Sequence, residues 1–145
     1  MNPDRDAAAI RYATAGDEDF WFTLDRHLSR DEYARKVRDR MGYVLTLKGR
    51  PAGVLRYSLF WDSIPFCNML YVAKEYRGRG YGKQLMEHWE KDMKSNGCGM
   101  VMTSTQVNED AQNFYRKLGF KESGGFVIDV PGYEQPMEMI MIKAI

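Results

Sequence analysis

Apolar residues recur along the chain with two periods, and the change from one period to the other predicts an alternation of strands and helices. Alternating or continuous apolar runs predict strands, whereas apolar positions three and four residues apart predict helices. The predicted strands cover residues 8–15, 42–48, 52–61, 66–73, 99–105, 120–129 and 136–144. The predicted helices cover residues 17–40 in two pieces, 80–96 and 108–118. This order predicts an α/β (α+β) fold in which a mixed central sheet of about six to seven strands has helices on both faces.

Turn and capping residues predict where several of these elements begin and end. Ser29 is placed to cap the second piece of the 17–40 segment, with Glu32 three residues later as in a capping box. Residues 48–51, Lys-Gly-Arg-Pro, predict a hairpin between two strands. Asn108 predicts the start of the last helix and Gly119 its end. Because no repeat, low-complexity tract or linker interrupts the chain, we expect one domain over residues 1–145.

The segment 75–83, Glu-Tyr-Arg-Gly-Arg-Gly-Tyr-Gly-Lys, is the strongest candidate for a ligand site. It follows the 66–73 strand, a continuous apolar run that predicts burial on both faces, and it opens a helix. Its glycines let the backbone approach a ligand closely, and the unpaired N–H groups and positive dipole end of the helix attract anions. This arrangement suits a pyrophosphate, and the arginines and the lysine can pair with phosphate oxygens. The alternative is a tight turn that carries surface arginines.

Other glycine-rich phosphate loops fit this segment less well. A Walker loop requires Ser or Thr after its Gly-Lys pair, and here Gln84 follows Lys83. The dinucleotide fingerprint requires a different spacing of its third glycine and an acidic residue after the following strand. That strand ends instead in Thr-Ser-Thr at residues 103–105. An RNA-binding arginine–glycine tract would be repetitive, whereas this segment occurs once, between a strand and a helix.

A second segment, residues 108–120, reads Asn-Glu-Asp-Ala-Gln-Asn-Phe-Tyr-Arg-Lys-Leu-Gly-Phe. Together the two segments resemble the GNAT superfamily of N-acetyltransferases, which use acetyl-coenzyme A. The first matches that family's Arg/Gln-x-x-Gly-x-Gly/Ala loop through Arg77, Gly80 and Gly82. The second matches its Asn-x-x-Ala-x-x-x-Tyr-x-x-x-Gly-Phe helix through Asn108, Ala111, Tyr115, Gly119 and Phe120. The resemblance is close over residues 66–120 and looser elsewhere.

The resemblance implies an acetyltransferase of the GNAT fold with acetyl-CoA as co-substrate and no metal. The acetyl group would pass to a primary amine of a small molecule, amino acid or peptide, by direct transfer in a ternary complex. Because a phenol can donate a proton to a departing thiolate, Tyr115 is the expected catalytic acid; packing with Phe114 and Leu118 is the alternative. Asn108 is expected to orient the pantetheine arm or the acceptor, unless it only caps the helix.

The residues that the resemblance assigns to the co-substrate lie in three places along the chain. Backbone groups of the 66–73 strand would bind pantetheine and steady the thioester oxygen, and the glycine loop would wrap the pyrophosphate. The residues expected to bind the co-substrate are Leu70, Tyr71, Val72, Arg77, Gly78, Arg79, Gly80, Tyr81, Gly82, Lys83, Asn108 and Tyr115.

The resemblance does not identify a general base. Many relatives place a glutamate early in the strand before the glycine loop or late in the strand after it. Here Phe66, Cys67 and Thr103 occupy those places, and none of them takes up a proton usefully. An ordered water, held for example by Asn68, is one candidate. The side-chain candidates, each with a solvated surface charge as the alternative, are Asp62, His27, Asp25 and Glu134.

The missing acid leaves a second function open, namely a non-catalytic coenzyme A-binding sensor or interaction module of the same fold. For the amine acceptor we expect a site lined by the 17–40 helices and the 129–136 loop, which vary within the family. Its aromatic walls would come from Trp21, Phe22, Tyr57, Trp61 and Tyr133, and a cation would be attracted by Asp25, Asp62 and Glu134. The alternatives are core aromatics and surface acids.

Composition changes this prediction little. The 145 residues are 44% hydrophobic and 28% charged with a net charge of +1, so no global field favours nucleic acid. Two cysteines and two histidines without ligand spacing argue against a disulfide framework and against a metal site. We expect a cytoplasmic protein, because the sequence has neither a membrane-spanning run nor a signal-peptide pattern. Hydrophobic strand edges at the closing pair also allow a homodimer.

Overall fold

Strands and helices alternate in the order that the hydrophobic pattern predicts. The computed structural model describes residues 8–145. The strands are β1 Ala8–Tyr12, β2 Gly42–Leu47, β3 Arg50–Phe60, β4 Ile64–Val72, β5 Met100–Gln106, β6 Lys121–Phe126 and β7 Glu138–Ala144. The α-helices are α1 Glu18–Leu24, α2 Arg30–Asp39, α3 Tyr81–Ser95 and α4 Ala111–Lys117. The strands form a mixed seven-stranded sheet, which confirms the predicted fold class.

Two predicted helix ends are confirmed by their hydrogen bonds. At the start of α2, the Ser29 side chain accepts a hydrogen bond from the Glu32 backbone N–H at 3.1 Å. After α4, Gly119 has a φ of 98°, a left-handed conformation that favours glycine. The N–H of Phe120 then reaches back to the Tyr115 carbonyl at 3.0 Å, as in other helices that a glycine ends.

The predicted helix cap at Asn108 is wrong, and Asp110 takes the position before α4. The turn that precedes this helix is closed by the Gln112 side chain. Its Nε2 donates to the Val107 carbonyl at 2.9 Å and to the Glu109 carbonyl at 3.0 Å. Because these carbonyls are held in a turn, the helix begins later than the asparagine signal predicts.

The chain divides into two compact units. The first contains the described residues up to Ser58 together with Asn68–Asp92, and the second contains Leu59–Cys67 and Met93–Ile145. In the first unit, β2 pairs with β1 and β3 in antiparallel fashion. In the second unit, β5 pairs in parallel with the beginning of β4 and antiparallel with β7, which also pairs with β6. The strand β4 contributes residues to both units.

In the first unit β2 lies between two layers of helices. All six residues of this strand are buried, and neighbouring residues of a strand point to opposite faces. Val44 packs in one cluster with Trp21 of α1 and Tyr33 of α2. Tyr43 faces α3 instead, where its hydroxyl donates to the Asp92 carboxylate at 2.6 Å. Helices therefore cover both faces of this part of the sheet.

The prediction that β4 is buried on both faces is wrong. Cys67 is buried, but Asn68 is exposed and the Tyr71 side chain is 41% exposed. The ring of Tyr71 packs against the guanidinium of Arg77, whose Cζ lies 4.7 Å from the ring centroid. A cation can cover an aromatic ring in this way without burying it in a core, so an apolar run alone does not distinguish the two environments.

Two kinds of feature are absent from the residues that the structure describes. No helix within residues 8–145 is long and apolar enough to cross a membrane. Over the same range, no group of three or more His, Cys, Asp or Glu side chains is arranged to hold a metal ion. Cys67 and Cys98 are free thiols, the first buried and the second half-buried.

Candidate active site

The segment between β4 and α3 contains glycines whose backbone conformation requires them. Gly78 and Gly80 have φ angles of 78° and 85°, which side chains other than glycine rarely adopt. A Cβ atom built at either position would meet no other atom within 4 Å. The glycines are therefore not explained by tight packing, and the space around both is open to a ligand.

The helix α3 presents unpaired backbone donors beside these glycines. The first helical hydrogen bond runs from the N–H of Gln84 to the Gly80 carbonyl at 3.1 Å. The N–H groups of Tyr81, Gly82 and Lys83 precede it and have no acceptor within the helix. Since the dipole of this 15-residue helix is positive at the same end, the segment has the geometry of an anion-binding site.

The cations of this segment are exposed, and one of them is anchored to β4. The Nε of Arg77 donates to the Val72 carbonyl at 2.9 Å while its guanidinium stacks on Tyr71. This carbonyl is one of the groups predicted to bind pantetheine, and it retains a second lone pair. Arg79 and Lys83 are exposed as well, and the Lys83 ammonium lies 3.8 Å from a neighbouring glutamate in α3. Such a surface pair leaves the ammonium able to bind a phosphate.

A surface cleft of about 740 Å³ lies beside Arg77 within the first unit. Two residues of α1 that are four positions apart contribute apolar surface, and residues of β3, β4 and the following turn complete the wall. The lining residues that matter here are Phe20, Leu24, Pro51, Tyr71, Glu75 and Arg77. The cleft therefore combines aromatic and apolar walls with one carboxylate, one guanidinium and the ammonium of Lys74.

In the second unit, Tyr115 is buried among aromatic rings. The rings of Phe114 and Phe120 lie 5.3 and 5.7 Å from it, both edge-on, and only 8% of Tyr115 is exposed. The Thr103 hydroxyl contributes to the environment of the phenol and lowers its pKa in part. The Oγ1 of Thr103 donates in turn to the Cys67 carbonyl at 3.1 Å. The ring thus packs as the alternative interpretation expected.

The surroundings of Tyr115 favour the protonated phenol. Burial raises the pKa of Tyr115 well above its ordinary value, and the Cys67 thiol and Glu109 raise it further. Thr103 acts against them and lowers the pKa in part. A phenol in this environment carries its proton at neutral pH, so it can act as an acid and not as a base.

The carboxylate of Asp25 is not suited to be the general base. The side chain is buried and accepts hydrogen bonds from Arg56 Nε at 2.7 Å, Trp21 Nε1 at 3.1 Å and the His27 N–H at 3.1 Å. Burial alone would raise the pKa of Asp25, but the hydrogen bond and charge of Arg56 outweigh it, and the pKa lies below the usual value. Asp25 therefore forms a structural ion pair.

The remaining side-chain candidates for the base are exposed. His27 lies two residues after Asp25 and is exposed. Asp62 is also exposed, in the turn between β3 and β4, where its φ is 61°. The Glu134 carboxylate accepts a hydrogen bond from the Gly132 N–H at 2.9 Å. Asn68, the predicted holder of a water, is exposed on β4. These environments match the alternative of solvated polar groups on the surface.

The prediction that Trp21 and Tyr57 line the acceptor site is wrong. Trp21 and Tyr57 are 0% and 6% exposed, and the Tyr57 ring lies 5.9 Å from that of Trp89 in the core. Trp61 and Tyr133, in contrast, are 78% and 71% exposed. Apolar periodicity predicts that an aromatic residue is buried, but it does not show whether the residue packs in the core or lines a binding site.

Phe20, Leu24 and Glu75 of the cleft are functional candidates that the sequence prediction missed, and so is Thr103. Phe20 and Leu24 gave a signal, since apolar residues four apart share one helix face. Glu75 also lies within the glycine-loop segment, two residues before the matched motif. Thr103 gave none, because its role depends on the residues that the fold places around its hydroxyl.

Comparison with known proteins identifies the family. The family model described as the acetyltransferase (GNAT) family matches residues 8–120. N-alpha-acetyltransferase 30 of Schizosaccharomyces pombe is 42% identical over 53 residues, which cover 36% of this chain and 35% of that protein. Peptidyl-lysine N-acetyltransferase YjaB of Salmonella typhimurium is 32% identical over 68 residues, 47% of this chain and 44% of the relative. The chain thus spans less than half the length of these two curated relatives.

A solved structure shows the same fold over the full length. The GNAT family acetyltransferase from Elizabethkingia anophelis with acetyl-CoA bound superposes with a TM-score of 0.75 and 17% identity. The match covers 97% of this chain and 99% of that one. At this identity the likeness concerns the fold, whereas the family model covers most of the sequence. Because the family model matches residues 8–120, the chain belongs to the acetyltransferase (GNAT) family.

Proposed function

We propose that this protein is an acetyl-CoA-dependent N-acetyltransferase formed by residues 1–145 as a single domain. It transfers the acetyl group to a primary amine of a small molecule, amino acid or peptide, directly and in a ternary complex. The observation that carries the proposal is the start of α3. There, two left-handed glycines stand in open space beside three helix N–H groups that have no helical acceptor.

The glycine segment binds the pyrophosphate of the co-substrate. The N–H groups of Tyr81, Gly82 and Lys83 donate to phosphate oxygens, and the open backbone at Gly78 and Gly80 allows the diphosphate to come close. The exposed side chains of Arg77, Arg79 and Lys83 add charge. The fold relative from Elizabethkingia anophelis, which has acetyl-CoA bound, supports this choice of ligand.

Backbone groups of β4 handle the thioester end. Leu70 and Val72 offer amides and carbonyls along a half-buried strand edge, and their N–H groups can stabilise an oxyanion as charge develops on the thioester oxygen. Tyr71 lies between them in sequence. Its ring is occupied by Arg77, so its contribution to the co-substrate comes from the backbone. Asn108, exposed in the turn before α4, orients the pantetheine arm or the acceptor.

Tyr115 donates the proton that the departing thiolate requires. The amine nitrogen attacks the carbonyl carbon, the new C–N bond forms, and the C–S bond breaks as the Tyr115 O–H proton passes to sulfur. The amine must also lose a proton, which an ordered water carries away. Burial and the raised pKa of Tyr115 keep the phenol protonated until that step.

The cleft beside Arg77 receives the acceptor amine. Phe20 and Leu24 supply apolar walls, and the Glu75 carboxylate attracts an ammonium before it loses its proton. The relatives named for N-alpha-acetyltransferase and peptidyl-lysine N-acetyltransferase activity support a peptide amine as the first acceptor to test. The cytoplasmic location and the homodimer stay predictions.

A matched pair of glycine substitutions tests the pyrophosphate site. Gly80→Ala and Gly97→Ala replace glycines with φ angles of 85° and 88°, and neither new Cβ meets an atom within 4 Å. Both variants should therefore lose a similar stability, about 1–2 kcal/mol, from backbone strain. Calorimetry with coenzyme A should show weaker binding for Gly80→Ala alone, because Gly97 follows the other end of α3.

Activity is tested by release of coenzyme A thiol from acetyl-CoA across peptides with free N-termini, lysine peptides, amino acids and small amines. Amine-dependent thiol release is the expected result. Coenzyme A binding without release from any good acceptor would favour the non-catalytic sensor or interaction module. The pyrophosphate site itself is contradicted if Gly80→Ala and Gly97→Ala bind coenzyme A equally well.

A further inference from the structure

The cleft beside Arg77 has an apolar wall that the core holds in place. Phe20 and Leu24 lie four residues apart on α1, and both pack against the buried cluster around Trp21. Pro51 of β3 lines the same cleft, and all three wall residues are half-buried. Because side chains that are anchored in a core do not have to be ordered on binding, this wall suits an apolar group of a ligand.

The charged side chains of the cleft come from the turn that follows β4. Among the described residues that line the cleft, the charged ones are Lys74, Glu75 and Arg77, and all three are exposed. Two cations and one carboxylate leave a positive net charge there. An acceptor that carries only an ammonium, such as the side chain of a lysine in a peptide, is therefore disfavoured relative to one that also carries a carboxylate.

Arg77 is fixed in this wall by two contacts to β4. Its Nε donates to the Val72 carbonyl at 2.9 Å, and its Cζ lies 4.7 Å from the centroid of the Tyr71 ring, which also lines the cleft. These contacts leave the N–H groups of its two terminal nitrogens for a ligand. Such a pair of parallel donors matches the two oxygens of a carboxylate, so the guanidinium is positioned for a bidentate ion pair.

We propose that the acceptor bound in this cleft is a free α-amino acid with an apolar side chain. Its carboxylate pairs with the Arg77 guanidinium and the Lys74 ammonium. Its own ammonium pairs with Glu75 before the proton leaves, and its side chain packs against the wall formed by Phe20 and Leu24. The ammonium and carboxylate of such a ligand share one carbon, as Glu75 and Arg77 share one turn.

The proposal rests on the proposed function and narrows its acceptor to one chemical class. The α-amino nitrogen forms the new C–N bond while the C–S bond of acetyl-CoA breaks, and the amine proton leaves as described above. The products are an N-acetylamino acid and coenzyme A, and the carboxylate is unchanged. The cleft volume of about 740 Å³ lies in the range of small-molecule sites.

This arrangement divides the cations near the glycine segment between two ligands. Of the described cations, Lys74 and Arg77 line the cleft, whereas Arg79 and Lys83 lie outside its wall. Arg77 should therefore affect the KM for the amino acid more than the affinity for coenzyme A. The pyrophosphate retains the helix N–H groups and the two cations outside the wall.

A matched pair of acceptors tests the proposal without altering the protein. Leucine and leucinamide share the apolar side chain and the α-amine, but the amide lacks the carboxylate. We expect kcat/KM, measured by thiol release, to be roughly 10–100-fold higher for leucine, the size of a lost hydrogen bond between charged groups. Amidation also makes the amine less basic, which by itself favours transfer, so protonation of the amine does not explain a loss. Equal values for the two acceptors would overturn the proposal.

Substitutions in the turn assign the effect to the cleft. Arg77→Gln should raise the KM for leucine roughly 10–100-fold and bring leucine and leucinamide close together. Arg79→Gln makes the same change two residues later and should keep the preference for leucine. Lys94→Gln, at the other end of α3, is the control for loss of a surface charge, and thermal unfolding shows that each variant is folded. A preference for leucine that survives Lys74→Gln and Arg77→Gln combined would contradict the proposal.

A binding measurement separates failure of this proposal from failure of the proposed function. Saturation-transfer NMR detects leucine bound to the protein in the presence of coenzyme A, with leucinamide as the matched ligand. Acetyl transfer to other amines without leucine binding rejects the amino-acid acceptor and keeps the acetyltransferase. Leucine binding that Arg77→Gln abolishes, in a protein that transfers acetyl to no amine, supports the cleft and rejects the enzyme. Leucine that neither binds nor reacts overturns the proposal.

Discussion

Asp25 and Tyr115 are both buried titratable side chains, yet their surroundings give them opposite properties. Asp25 is held by a guanidinium, an indole N–H and a backbone N–H, and its pKa is lowered. Tyr115 is packed among aromatic rings, and its pKa is raised. Burial penalises the charged form of both groups, but only Asp25 has a cation that outweighs this penalty.

This difference distinguishes a buried side chain that stabilises the fold from one that can take part in proton transfer. A carboxylate whose charge is neutralised and whose lone pairs are filled has no proton to give and little tendency to accept one. A neutral phenol kept in an apolar site retains its proton until a negatively charged leaving group, such as a departing thiolate, develops beside it. We therefore expect substitutions at Asp25 to change stability and substitutions at Tyr115 to change catalysis.

The largest effect is expected from Tyr115→Phe, which keeps the ring packing and removes the acidic proton. The loss of a general acid lowers kcat by about 100- to 10,000-fold, whereas the affinity for coenzyme A should change little. Steady-state kinetics with an identified acceptor measure the first quantity and calorimetry measures the second. A kcat equal to that of the parent would remove Tyr115 from the mechanism. Parallel losses of kcat and of folding stability would assign it to packing.

The second-largest expected effect is a loss of folding stability in Asp25→Asn. This change leaves the buried Arg56 guanidinium, only 12% exposed, without its counter-charge. Breaking a buried ion pair from one side costs about 3–5 kcal/mol of unfolding free energy. Urea unfolding at neutral pH measures this cost.

The matched control for Asp25→Asn is Asp39→Asn. Asp39 pairs with Arg38 at 2.9 Å on the surface, so its loss should leave the urea midpoint within error of the parent. If the two variants unfold at the same urea concentration, the Asp25–Arg56 pair is not the anchor that its burial indicates. Residual acetyl transfer in Asp25→Asn, measured where the variant is still folded, should match the parent.

Local rules predicted those parts of the fold that depend on neighbours in sequence. Ser29 caps α2 and Gly119 ends α4 as predicted, because each acts on backbone groups within one helical turn. The cap at Asn108 failed where a side-chain contact of Gln112 closed a competing turn. Local rules also apply to part of the candidate active site, because the left-handed conformations of Gly78 and Gly80 are ones that favour glycine.

Contacts between distant residues could not be predicted in this way. Asp25 and Arg56 are 31 residues apart, and nothing in either segment indicates their pairing. The sequence therefore left Asp25 among the candidate bases. Thr103 and Cys67 are 36 residues apart, and their hydrogen bond depends on the register of β4 with β5. In both cases tertiary contact, which periodicity does not encode, decides the chemistry of the group.

The smallest effect, and the sharpest test of the comparison, is the pH dependence of the Asp25 contribution. The folded-state pKa of Asp25 lies below the value in the unfolded chain, which is about 3.9. The ion pair therefore contributes its full stability above that pH and loses it as the pH falls through the folded-state pKa. The Asp25→Asn variant has no carboxylate to titrate, so the stability difference between parent and variant isolates this one group from Asp17, whose pKa is also lowered.

That difference in unfolding free energy should be constant from about pH 7 to pH 5 and should shrink below about pH 4. Urea unfolding of both proteins at each pH gives the curve. A difference that grows on acidification would mean that burial outweighs Arg56 and that the pKa of Asp25 is raised, as it is for Tyr115. The two groups would then be alike, and Asp25 would return as a candidate for proton transfer. A shrinking difference keeps it a structural anchor.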